Sequence, residues 1–354
     1  MMKSSQSLLL FIFSLFFGTV WSVCSHEEEV TEKFDTLPAA VNAPTIPPEG
    51  YLVEDFGSGT YIVTEGSYQA LFLVSTEGVI LIDAPPTIGH KIGYAIGNIT
   101  DKPITHVIYS HSHSDHIGSA SLFTGGNRHG PKVEIIAHED TALNINQAPD
   151  PQRPLPTKTF KQYEIIHIGN QTLELSYKGE NHVRGNIFIY IQAPKVLMLV
   201  DVIFPGWAPF SGLAESTNIP GWIQAHDQVL SYDFDHYVGG HLGRSGTRED
   251  VLRQQEYVRD LFNTCNATIA LTGTDNPLIG AGLVLGTVSK NNPGNSWAQF
   301  KVYLDVAAEY CANKTNEKWD SILGGTDVFG FENAMAMLEH LRLDYNILGP
   351  FGTS

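Results

Sequence analysis

Positive charge is scarce in this chain. Lysine and arginine together number 21 of 354 residues, against 38 aspartate and glutamate, a formal charge of −17. So acidic a surface repels phosphate backbones, which excludes nucleic acid as a partner. Cysteine is scarcer still, with three residues, Cys24, Cys265 and Cys311. No apolar run is long enough to span a bilayer comfortably. The longest, near the N-terminus, covers Leu8–Phe17, where a spanning helix needs about 20 residues. Short internal repeats and low-complexity tracts are absent as well. What remains is 42% hydrophobic residues and 33 glycines, the make-up of an ordinary globular chain with many turns and a sizeable core.

The opening stretch, "MMKSSQSLLLFIFSLFFGTVWSVCSHEEEV", has one lysine, an apolar run and then small residues. This is the layout of a secretory signal peptide over residues 1–25, cleaved near Val20-Trp21-Ser22 or Val23-Cys24-Ser25. A membrane anchor is the alternative, and the shortness of the run argues against it. Asn98, Asn170, Asn266 and Asn313 each begin an Asn-x-Ser/Thr sequon, so the expectation is a secreted glycoprotein. Cleavage after Ser25 leaves only Cys265 and Cys311. An oxidising compartment invites one disulfide between them, the alternative being two buried thiols. Residues 26–50 are acidic and dotted with proline, and read as a flexible leader.

From Tyr51 the pattern changes. "GTYIVTEG", "YQALFLVST" and "GVILIDAP" are β-branched or aromatic runs split by glycine, a meander of strands. "GHKIGYAIGNI", "DHIGSASLF" and "EDTALNIN" have helical spacing and alternate with the strands "THVIYSH" and "VEIIAH". After a loop at 149–157, "YEIIHIG", "TLELSYKG", "NIFIYIQAP" and "KVLMLVDVIF" read as strands. "GWIQAHDQVLSY" and "REDVLRQQEYVRDLF" read as helices. Two β-rich halves with interspersed helices predict an α/β chain built as a four-layer αββα sandwich over 51–265. Residues 266–354 are glycine-punctuated and then mostly helical, a C-terminal extension packed on the core.

The stretch "IYSHSHSDHIGS" concentrates His111, His113, Asp115 and His116 just past an apolar strand. Clustered imidazoles repel when protonated and need partners when neutral. A metal answers both problems. Residues i and i+2 of an extended chain share a side, so His111 and His113 can aim at one point, while Asp115 and His116 reach a second. Zinc takes four nitrogen, oxygen or sulfur ligands, and this cluster cannot fill two such spheres. Three further candidates stand at strand ends or turns: His182 in "ENHVRGN", Asp201 ending "KVLMLVD", and His241 ending "HYVGGH". Asp83 ends "GVILID" and reads as a support for a ligand loop rather than a ligand.

His111-x-His113-x-Asp115-His116, followed in order by His182, Asp201 and His241, resembles the metallo-β-lactamase superfamily over roughly residues 55 to 262. The resemblance implies a metal on His111, His113 and His182, a second on Asp115, His116 and His241, and Asp201 bridging them. It implies two zinc ions, with manganese or iron as alternatives. It also implies a hydrolase, secreted if the N-terminal reading holds, that opens a lactone, lactam, ester or thioester by attack of a hydroxide held between the metals, with Asp115 serving catalysis. The partner is then a neutral small-molecule carbonyl compound. The chain departs from the commonest zinc β-lactamases, which carry cysteine in place of Asp201 and a lysine shortly after it. The glyoxalase branch usually adds a basic C-terminal patch that residues 266–354 lack.

Other readings stay open at this stage. A mononuclear iron enzyme like the persulfide dioxygenases would use His111, His113, His182 and Asp201. A non-catalytic secreted protein could keep metals for folding or binding. Around the site, Phe204, Trp207 and Phe210 in "FPGWAPF", with Tyr68, are candidates for a substrate pocket; Asn186, four residues after His182, could position a ligand strand or face the substrate. Aromatic packing in the core would explain the first three equally well.

Overall fold

The computed structural model describes residues 33–125 and 132–352. The expected signal peptide, residues 1–25, lies outside them. The glycine-split β-branched runs form a meander of antiparallel strands, β1 (Leu52–Gly57), β2 (Thr60–Thr64), β3 (Gln69–Val74) and β4 (Val79–Ile82). Helix α1 (Lys91–Ile99) carries the chain back, so β5 (Ile104–Ile108) lies parallel to β4. Helices α2 (Ser114–Ile117) and α3 (Ser121–Thr124) precede β6 (Glu134–His138); α4 (Glu139–Gln147) precedes β7 (Lys158–Phe160). Both strands again pair parallel to their predecessors, which requires a crossover rather than a tight turn.

The second sheet holds β8 (Tyr163–Ile168), β9 (Gln171–Ser176), β10 (Phe188–Ile191) and β11 (Val196–Met198), all antiparallel neighbours. The chain then passes through α5 (Ser211–Glu215), a left-handed turn, and α6 (Ile219–Leu230). It returns as β12 (His236–Val238), parallel to β11. Four helices complete it: α7 (Arg248–Thr272), α8 (Ala281–Asn291), α9 (Ser296–Trp319) and α10 (Thr326–Leu343).

Side-chain alternation along the strands builds the layers. Leu71, Ile80 and Ile136 of the first sheet meet Leu173, Ile189 and Met198 of the second. The opposite face of the first sheet, through Phe72, Leu81 and Val107, packs on Ile92 and Ala95 of α1 and Ile145 of α4. The outer face of the second, through Phe188, Leu197 and Tyr237, packs on Trp222, Tyr257, Ala307 and Leu338. Each such large side chain, buried, contributes about 1.5–3 kcal/mol. The fold is the expected four-layer αββα sandwich with a helical C-terminal region.

Several boundaries differ from those expected. The domain end set at 265/266 falls inside α7, whose Cys265 is joined to Cys311 of α9 by a disulfide. Residues 35–50 carry no helix or strand, but they are not a free leader. Val41 is buried, and Arg244 donates to the carbonyls of Ala40 and Val41 at 2.8 and 3.0 Å. The strand expected over 195–204 stops at Met198, and Asp201 beyond it adopts φ 62°. Strands β1, β7 and β12 and helix α8 went unread, being short, polar-flanked or glycine-punctuated. The four sequon asparagines are all exposed.

Candidate metal centre

The site grows from strand ends. Beyond β5, the amide of Ser110 donates to Asp83 Oδ1 at 2.8 Å, and the amide of Asp83 donates to the Ile108 carbonyl at 2.9 Å. The amide of Ile187 in turn donates to the Ser110 carbonyl at 3.0 Å. The ends of β4 and β5 and the turn before β10 are thus locked together. Asp83 touches no other candidate ligand through a hydrogen bond, in keeping with a supporting role. Its burial pushes the carboxyl up to about 6, against the pull of His116 and of the Ser110 hydrogen bonds. Asp83 and Asp201 take φ values of 61° and 62°, a region that costs a non-glycine residue about 1–3 kcal/mol and persists where surroundings over-determine it.

His182 sits in a turn held by asparagines. Asn181 Oδ1 accepts from the His182 amide at 2.6 Å. Asn186 Nδ2 donates to Asn181 Oδ1 at 2.9 Å and to the Val200 carbonyl at 2.8 Å. Asn186 is fully buried and does not line the cavity described below. Of its two expected roles, facing a substrate is corrected and positioning the ligand turn stands: both of its amide hydrogens are spent holding that turn.

Asp201 and His241 are tied to each other's strands. The Asp201 amide donates to the Gly239 carbonyl at 3.2 Å, and Trp222 Nε1 donates to the Asp201 carbonyl at 3.1 Å. Gly240 has φ +88°, and a Cβ there would stand 2.7 Å from Val200 and 3.0 Å from His116. Only glycine lets the loop approach this closely. Gln69 clamps it from β3, donating its amide to Gly240 O at 2.9 Å and accepting from Gly240 N at 3.1 Å.

All seven candidate ligands converge. His111, His113, His182 and Asp201 form one group and Asp115, His116 and His241 a second, with ligand atoms within 4.8 Å of one another in each. Asp201 lies between them: Oδ2 is 3.4 Å from His111, 3.3 Å from His182 and 3.2 Å from His116, and Oδ1 is 2.7 Å from His241. Ring nitrogens face each other at 3.0 Å (His182 and His113) and 3.1 Å (His116 and His241). Burial holds His111 well below the usual histidine range and His182 down to about 4. Burial opposes the charged form of Asp201 too, but His116 and His182 outweigh it and hold the carboxyl well below its ordinary range. For His116, burial is outweighed by Asp201, Asp115 and Asp83, which lift it to about 9.

This donor set fits a pair of divalent metals. His111 Nε2 is buried, points into the group and has no hydrogen-bond partner, the condition of a nitrogen whose lone pair awaits an electrophile. Nitrogen and carboxylate oxygen are ligands that zinc accepts.

Above the cluster opens a cavity of about 760 Å³. Tyr68, Phe204, Trp207 and Phe210 line it as expected, together with Glu215, Leu242, Val328 and Phe329, which sequence reading missed. Tyr68 Oη donates to Asp115 Oδ2 at 3.4 Å, and its ring lies 4.6 Å from that of His241. Val328 and Phe329 sit in the first turn of α10, where nothing in the local pattern marks a ligand.

The sequence model described as "Metallo-beta-lactamase superfamily" matches residues 63–257, more than half of the chain. The protein belongs to the metallo-β-lactamase superfamily. One relative is the alpha subunit of 2,4-dinitroanisole O-demethylase from Nocardioides sp. (strain JS1661), 30% identical over 195 residues, 53% of this chain and 57% of that one. Another is metallo-β-lactamase IND-1 of Chryseobacterium indologenes, 25% identical over 169 residues, 46% of this chain and 66% of that one. The match thus spans less than two thirds of either relative's length. Among solved structures, a metallo-β-lactamase from Pontibacter korlensis shares the fold at a TM-score of 0.50 and 21% identity, covering 58% of this chain and 97% of that one. Residues 258–352, from within α7 to the end of the described chain, lie beyond the superfamily match.

Proposed function

We propose that this superfamily member is a dinuclear metal-dependent hydrolase that opens a neutral carbonyl compound: a lactone, lactam, ester or thioester. The observation that carries the reading is the convergence of seven donors into two groups sharing Asp201. His111, His113 and His182 would hold one zinc, Asp115, His116 and His241 the other. When bound, such ions polarise a carbonyl oxygen and lower the pKa of water between them. The chain's own contribution is order. Asp83, Asn181 and Gln69 hold the ligand loops, and Tyr68 holds Asp115 by a hydrogen bond. The apolar walls exclude water around the reacting group.

Elemental analysis tests the proposal, together with hydrolysis of a lactone, nitrocefin and a thioester by zinc-loaded protein. Two metals per chain with turnover of one class supports it; less than one metal and no turnover overturns it. A single iron per chain with oxygen uptake on a persulfide would favour the dioxygenase reading instead.

A second reading draws on the relative named for 2,4-dinitroanisole O-demethylation and on the aromatic lining of the cavity. In it the substrate is an electron-poor aryl ether. Release of the coloured nitrophenol from 2,4-dinitroanisole separates this reading from the carbonyl one.

We further propose that the protein is secreted. The N-terminal sequence, the Cys265–Cys311 disulfide and four exposed sequons support this. Expression in a eukaryotic secretory host, followed by N-terminal sequencing and glycosidase treatment of the medium, tests it. An uncleaved, unglycosylated chain retained inside the cell would sink it.

A further inference from the structure

We infer that α10 is the specificity wall of the site, and that Phe329 selects substrates carrying an uncharged aromatic or bulky apolar group. The inference deepens the hydrolase reading above and rests on it for the location of the reacting group.

The loop between Asp201 and α6 forms the apolar side of the cavity, and α10 and the residues just before it help to hold it. Its backbone is zipped to the chain just before α10: Ala208 donates to the Gly324 carbonyl at 2.9 Å, and Gly324 donates to the Gly206 carbonyl at 3.0 Å. Gly324 also leaves room for Trp207, whose ring a Cβ there would meet at 2.8 Å.

Farther along, α5 holds Gly212, Leu213 and Ala214 at φ 61°, 56° and 62°. A run of left-handed residues with side chains is unfavourable on its own, at about 1–2 kcal/mol per residue. Asn333 of α10 fixes it, accepting from the Leu213 amide at 2.7 Å and donating to the Pro209 carbonyl at 2.9 Å. The side chain of Leu213 is fully buried beneath. α10 thereby sets where Phe210 and Ala214 stand over the metal centre.

α10 also enters the cavity directly. The ring of Phe329 stacks edge-on against Phe210, centroids 4.9 Å apart at 61°. Both rings line the same cavity as His113, Asp115 and Asp201. No lysine or arginine lines it among the described residues, and Glu215 stands at its rim. A carboxylate or phosphate on the part of the substrate beside Phe329 would find no basic side chain there, and the Glu215 carboxylate would repel it. An apolar ring would find an edge-to-face pair already formed.

The test uses the full-length, zinc-loaded protein and three lactones: γ-butyrolactone, its γ-phenyl derivative and its γ-carboxylate derivative. The wild type should favour the phenyl lactone over the carboxylate lactone by at least about tenfold in kcat/KM. Phe329→Ala should lower kcat/KM for the phenyl lactone about tenfold more than for unsubstituted γ-butyrolactone, with metal content unchanged. Phe329→Leu should fall between, and supplies the comparison if the alanine variant folds poorly. An equal loss on all three lactones, or none, overturns the inference. Binding of the phenyl lactone is also followed by ligand-observed NMR, which needs no turnover. Weaker binding to Phe329→Ala with no hydrolysis by any form would keep the wall and remove the lactonase reading. Equal binding by both forms would overturn the wall itself.

Discussion

Asp201 Oδ1 stands 2.7 Å from His241 Nε2, while Oδ2 of the same carboxylate lies 3.4 Å from His111 Nε2. One side chain therefore lies against residues of both ligand groups, whereas His241 belongs to one. The two should be separable by stoichiometry. Asp201→Ala should weaken both metals, and His241→Ala should leave about one per chain. Elemental analysis after dialysis reads the difference; loss of equal amounts in both variants would contradict the shared-ligand arrangement.

Asp115 is half-buried and faces the cavity, hydrogen-bonded by Tyr68. Asp115→Asn keeps shape while removing charge. Turnover should fall at least about 100-fold, with the thermal midpoint nearly unchanged. A variant as active as the wild type would place the chemistry elsewhere.

Asp83 acts at one remove. Asp83→Ala leaves the amide of Ser110 buried and without its acceptor. His111 is the next residue, so zinc affinity should drop about 10–100-fold. Competition with a chromogenic chelator measures this. Unchanged affinity would make Asp83 a fold residue only.

Arg244 pairs with Asp250 through two hydrogen bonds of 3.0 and 2.7 Å, and Asp250 also caps α7 through Thr247. Burial alone would raise the Asp250 carboxyl, but the hydrogen bonds from Arg244 and Thr247 hold it below the usual range. A carboxylate depressed in the fold stabilises at pH above its unfolded value of about 3.9, and that contribution disappears as pH falls through the lower folded value. Asp250→Asn should thus cost about 2–4 kcal/mol at pH 7, and the gap to wild type should narrow as pH drops below about 4. Denaturant melts at several pH values check the sign; a gap that widens in acid would refute it.

The disulfide closes a loop with a sequence separation of 46 between two buried residues. Replacing both cysteines with alanine should destabilise the fold by about 2–4 kcal/mol. Because Cys265 and Cys311 join α7 to α9, selectivity for the phenyl lactone should suffer before metal content does as temperature rises. Calorimetry reads the loss of stability, and the kcat/KM ratio of phenyl lactone to γ-butyrolactone followed alongside zinc release reads the order; zinc lost first would contradict it.

The fold class and the seven converging residues were legible because their signals are local. His111 to His116 lie within one turn of chain past an apolar strand, and His182, Asp201 and His241 each follow short runs that read as strands or glycine turns. Asn186 stayed open between two roles because its neighbourhood gives no sign of which way a buried amide points. The leader misled because proline-rich, acidic chain looks the same whether or not an arginine, here Arg244, waits two hundred residues later to bind its carbonyls.

By itself the sequence determined the sandwich, the donor types and their order along the chain, since residue periodicity and ligand chemistry act over a few neighbours. Only the tertiary structure decided the left-handed turn at Leu213, its grip by Asn333, and the meeting of Phe210 with Phe329. Those contacts join residues about 120 positions apart, and no local preference encodes an approach that the packing of α10 against α7 and α9 makes favourable.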